Sequence, residues 1–142
     1  MKLLRTIFTA IAHSLVYIGI PLALIYALNA NYPGLLEARY VRFVHIAILL
    51  GIPIVVMYAL ADLTSGIKSM IFEIIALVLV IIYTFMILGM GSTELTYQNV
   101  KIYLFYPVLL YIVILGIAIR FPSAVFKYLA EREQNPPSVG EV

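Results

Sequence analysis

The sequence predicts an all-α integral membrane protein: four transmembrane helices in an antiparallel bundle, the first two Pro-kinked and similar to each other. Three observations predict it. The 142 residues are 64% hydrophobic and only 11% charged, whereas a soluble domain carries about 25% charged residues. Four apolar runs reach the ~20 residues needed to cross ~30 Å of hydrocarbon. Finally, one phrase occurs twice. His13, Gly19-Ile20-Pro21 and Tyr26-Ala27-Leu28 return thirty-two positions later as His45, Gly51-Ile52-Pro53 and Tyr58-Ala59-Leu60.

So short a chain has too much surface to hide this apolar content inside one globule. Lipid is the natural solvent for it. The net charge is +2, and the basic residues are scattered singly, which leaves no nucleic-acid footprint. Cysteine is absent. That excludes disulfides, thiolate metal sites and any redox chemistry built on a Cys pair.

The first run is expected to span at about residues 6–28. From Ile7 to Leu28 it is longer than the ~7–15 apolar residues of a signal peptide. Leu28, three before a cleavage point at Ala30, is also a poor small-residue site. Asn29 to Gly34, with Pro33, closes this helix. The second span is expected at 41–60, with Asp62 to Gly66 as the turn into the third at 70–90. Gly91 to Asn99 is read as the polar connection to a fourth span at 102–119. Short connections make neighbouring helices antiparallel.

Residues 1–121 are thus one transmembrane domain, and 122–142 a cytoplasmic amphipathic helix and Pro-containing tail. Pro122 is expected to end the fourth span, and Ser123 to cap a helix through Glu133. Val125, Phe126 and Leu129 lie to one side of it, as in a helix resting in the membrane interface or on a partner. The segment from Asn135 to Val142 is expected to lack order unless a neighbouring subunit holds it.

Orientation follows from the basic residues near the helix ends. With the N-terminus inside, Lys2, Arg5, Lys68, Arg120, Lys127 and Arg132 are cytoplasmic, against Arg39, Arg42 and Lys101 outside. Both termini are therefore expected in the cytoplasm. Tyr26, Tyr32, Tyr40, Tyr97, Tyr103 and Tyr106 would form the belt at the outer interface.

The repeated phrase carries the site candidates. Each proline lacks a donor and presses on the carbonyl four residues earlier, Tyr17 for Pro21 and Leu49 for Pro53. A kink is expected at each place, and each freed carbonyl needs another partner. Gly19, Pro21, Gly51 and Pro53 would then form an inverted pair of interrupted helices, the arrangement from which transporters build their sites. The competing reading is coincidence between two apolar helices in which proline is common.

His13 and His45 invite a haem-binding reading. On antiparallel helices, however, the two imidazoles fall ~24 Å apart when the kinks share a depth, and ~15 Å when the spans are centred by hydropathy. One iron cannot take both, so each His is expected to bond a neighbouring helix. Glu73, just inside the third span, is a candidate for a proton or cation path beside Ser69 and His13. The plainer reading pairs it with Arg5 or Lys68. Arg42 and Asp62 look like interfacial anchors, and Gly19, Ala23 and Ala27 form a stripe for close helix packing.

No nucleotide loop, carboxylate pair, Ser-His-Asp set or metal-ligand spacing is present. The expectation is a non-catalytic accessory subunit of a larger membrane complex, without cofactor or metal, whose partners are the bilayer and other membrane subunits. The alternatives are a small oligomeric channel or transporter built on helices 1 and 2, or a haem-binding cytochrome subunit.

Overall fold

A computed structural model describes residues 2–134. It is mostly helical, with four helices long and apolar enough to cross a membrane, over Lys2–Asn31, Ala38–Leu63, Ile67–Ile87 and Pro107–Gln134. The expectation for the tail from Asn135 lies outside the described residues.

The first span is α1 (Lys2–Ser14), a π-helical turn (Leu15–Gly19) and α2 (Ile20–Asn31). In the π turn the Ile20 amide donates to the Leu15 carbonyl, five residues back. The turn therefore ends just before Pro21, the residue that cannot supply the regular bond to Tyr17. The second span, α3 (Ala38–Leu63), carries Pro53 inside a continuous helix. The two copies of the repeated phrase thus differ in backbone form.

Next, α4 (Ile67–Ile87) begins after Gly66. Its first turn is tied to α3 by the Ser69 hydroxyl, which donates to the Ala61 carbonyl at 2.7 Å. The most extensive helix contact in the molecule is between α3 and α4. Ala47, Ile54, Val80 and Tyr83 are its buried centre, with Tyr17, Leu50, Tyr58 and Ile117 packed around them.

The all-α expectation needs one correction. Ser92–Tyr97 (β1) and Val100–Phe105 (β2) form an antiparallel hairpin with Tyr97 opposite Val100. Its two-residue loop, Gln98 and Asn99, has φ of +48° and +66°. Both values are left-handed, as in the tight turns that match strand twist. A β-branched and aromatic strand therefore occupies the start of the expected fourth span. Instead of Ile102, that helix starts at Pro107, with α5 (Pro107–Ala118).

Twelve residues of helix cover only ~18 Å, and the candidate span is completed by α6 (Arg120–Gln134). Pro122 lies in the first turn of α6, and Ser123 is helical rather than a cap. Proline is tolerated there because first-turn amides have no intrahelical acceptor. Its missing amide is the one that would reach Ala118, where α5 stops.

Two ends of the molecule follow. The hairpin is held at one of them, where the Thr96 amide donates to Leu35 at 2.8 Å and the Tyr40 hydroxyl to Ile87 at 3.0 Å. At Gly91 a side chain would meet the Pro107 Cα at 3.2 Å, so glycine lets α5 fold back against this turn. The start of α1, the α3–α4 connection and α6 surround a common cavity at the other end.

Candidate functional site

Proline at position 21 leaves the Tyr17 carbonyl without its intrahelical donor, in a helix long and apolar enough to cross a membrane. The structure supplies the donor from another helix. The Tyr83 hydroxyl of α4 donates to the Tyr17 carbonyl at 3.0 Å. The Tyr83 ring also meets the Tyr17 ring edge-on, with centroids 5.1 Å apart at 87°.

Helix α3 closes the joint from its other side. Gly51 is buried, and a Cβ there would lie 2.8 Å from Ile18 Cγ1 and 3.1 Å from the Tyr17 carbonyl oxygen. Only a residue without a side chain fits without displacing the first span. The Gly of the second copy therefore packs on the break in the first copy. Gly19 is only half-buried, and the nearest atoms to a Cβ there belong to its own helix.

The imidazole of His13 stacks on the Tyr58 ring at 4.5 Å and 13°, and on Tyr17 at 6.0 Å and 28°. Aromatic pairs at such distances contribute about 0.5–1.5 kcal/mol beyond area burial. His13 thus contacts a neighbouring helix, through its ring face rather than through a hydrogen bond. Its Nδ1 and the Tyr58 hydroxyl are buried with no hydrogen-bond partner among the described residues. Asp62 and Arg120 lie within electrostatic range of the imidazole.

The inverted counterpart of this pair is not built. His45 is exposed, and its Nδ1 lies 2.7 Å from the Val41 carbonyl of its own helix. Tyr26, which corresponds to Tyr58, is 78% exposed. His45 precedes Tyr58 by thirteen residues of α3, a rise of about 20 Å. With His13 stacked on Tyr58, the two imidazoles lie too far apart to ligate one iron. Among the described residues no group of three or more His, Asp or Glu side chains gathers as a metal site.

Glu73 is half-buried in α4. Among the described residues it closes no ion pair with Arg5 or Lys68; the two ion pairs present are Arg39–Glu37 at 3.7 Å and Lys101–Glu94 at 3.4 Å. Glu73 instead lines a small cavity shared with Lys127, Tyr128 and Glu131 of α6. That cavity and the larger one at the same end are lined by neither Pro21 nor Pro53. Pro53 is half-buried inside α3, and no side chain among the described residues donates to the Leu49 carbonyl.

The sequence singled out Pro21, Gly51 and His13, which the structure gathers around the first Gly-Ile-Pro, but gave no role to Tyr83. A tyrosine near the middle of the third apolar run was the available signal, since belt tyrosines sit at the ends of spans. The chain matches no family model, no curated protein and no solved structure.

Proposed function

We propose that the chain is a non-catalytic accessory subunit of a larger multi-subunit complex of the cell membrane, with both termini in the cytoplasm. One observation carries this reading. All six residues of β2 are exposed, among them Ile102, Tyr103, Leu104 and Phe105, the last at 80%. Among the described residues the sheet has two strands, so the outer edge of β2 is open. Apolar side chains on both faces disfavour water. Yet an open edge presents unpaired amides and carbonyls, which lipid cannot satisfy. A protein surface that pairs the edge and covers the side chains answers both demands. An isolated two-stranded hairpin is also marginal without further packing.

The sparse packing of the first span supports the same reading, since only 6% of its apolar window is buried. The orientation draws on Lys2, Arg5, Lys68, Arg120, Lys127 and Arg132 on one side, against Arg39, Arg42 and Lys101 on the other. Native mass spectrometry after mild-detergent purification tests the assembly. The expected result is a complex with other subunits that Leu104→Lys with Phe105→Lys releases. A lone, monodisperse monomer from wild-type membranes overturns it.

A transport reading centred on Pro21, Pro53 and Glu73 draws on a different observation, the buried and unpartnered His13 Nδ1 and Tyr58 hydroxyl. It expects reconstituted flux that Pro21→Ala or Glu73→Gln changes. Flux unaltered by both ends it.

A further inference from the structure

At the end of the molecule opposite the hairpin, three elements enclose a cavity of about 1060 Å³ that opens to the outside. Its walls are the first turn of α1, the α3–α4 connection and the C-terminal half of α6. A volume of that order is at the upper end of the range for small-ligand sites. Four cations line it, Lys2 and Arg5 from α1 and Lys127 and Arg132 from α6, against the carboxylates of Asp62 and Glu131.

The cations are not consumed by those carboxylates. Among the described residues none of the four closes an ion pair, although Lys127 and Glu131 are one turn apart. Two hydroxyls on the wall, Ser65 and Tyr128, are likewise without a hydrogen bond among the described residues, whereas Thr6, Thr64 and Ser69 are each bonded to a carbonyl. Helix α4 starts on the same wall, after Gly66, with no side-chain cap on its first amides. Uncapped amides and the helix dipole add to the positive field of the cations.

We infer that this cavity binds a phosphate group, held by Lys2, Arg5, Lys127 and Arg132, and that the group is presented by an anionic lipid headgroup. Phosphate matches the site because its several acceptor oxygens can take charge-assisted bonds from two helices at once. The two helices that carry the cations also expose Leu3, Leu4, Phe126 and Leu129, which lie outside the cavity lining and leave that end of the molecule apolar enough to meet lipid. Basic pockets between helices near the cytoplasmic face are where such headgroups bind. All four cations belong to this chain, so the inference does not need the accessory-subunit reading, although it rests on the same placement of this end at the cytoplasmic face.

The test is lipid binding by the full chain in detergent, followed by native mass spectrometry. The probes are dioleoyl phosphatidylglycerol, dioleoylglycerol without phosphate, and inorganic phosphate as competitor. The expected result is one retained phosphatidylglycerol and no specific retention of dioleoylglycerol. Arg5→Gln with Lys127→Gln should weaken retention by about tenfold or more, while Arg5→Lys with Lys127→Arg keeps it. Displacement by millimolar inorganic phosphate keeps the phosphate site but overturns the lipid headgroup as its source in favour of a soluble ligand. Equal retention of both lipids, or retention untouched by the Gln pair in a variant of unchanged thermal stability, overturns the inference.

Discussion

Replacing Tyr83 by Phe removes one hydroxyl, and the consequence depends on what Pro21 has done to the carbonyl that this hydroxyl reaches. With proline in place, the Tyr17 carbonyl has Tyr83 as its donor at 3.0 Å. Losing it strands a backbone acceptor inside a candidate membrane span, which costs about 1–3 kcal/mol. Pro21→Ala restores an amide four residues after Tyr17, so the carbonyl regains a donor in its own helix. Tyr83→Phe is therefore expected to cost about 1–3 kcal/mol in the wild-type background and less than about 1 kcal/mol in Pro21→Ala. Denaturant unfolding in detergent measures the cycle; equal costs in both backgrounds would show that the hydroxyl acts independently of the proline. The need for a donor at Tyr17 was legible in the sequence, because it follows from proline chemistry alone. Its source was not, because which helix faces a carbonyl is decided by packing.

At the scale of elements, the four spans were legible because a membrane demands a long apolar run, and few other structures do. The hairpin was not. Val100 to Phe105 is interrupted only by Lys101 and leads almost directly into the apolar α5, so composition reads strand and helix as one span. The signals against that reading were local. Gln98-Asn99 sits between two runs rich in β-branched and aromatic residues, and Pro107 suits the first turn of a helix. The duplicated phrase was similarly legible as sequence while its asymmetry was not: one copy has a π turn and the other a regular helix. Asn99 offers a test of the hairpin. At φ +66° glycine is accommodated freely, whereas a β-branched residue is strained by about 1–2 kcal/mol. Hydrogen exchange should therefore show hairpin amides kept or better protected in Asn99→Gly. In Asn99→Val they should exchange about 5–30 times faster. Equal exchange in the two variants would mean that the turn does not hold the strands.

For the whole molecule, the described residues separate into an apolar middle and two unlike ends. Tyr83, Tyr17, Gly51 and the His13–Tyr58 stack fill the middle, where the first Gly-Ile-Pro break is packed shut. A hairpin with an open apolar edge forms one end, and a cavity lined by four cations forms the other. The proposed partner contact and the proposed phosphate site both assume that these ends lie on opposite sides of a membrane. The chain has no cysteine of its own, so single cysteines report their side without background. The most direct measurement is labelling of Asn99→Cys and Ser65→Cys with a membrane-impermeant maleimide, in intact and in permeabilised cells. Asn99→Cys is expected to label in intact cells, and Ser65→Cys only after permeabilisation. Labelling of both positions from the same side would contradict the account.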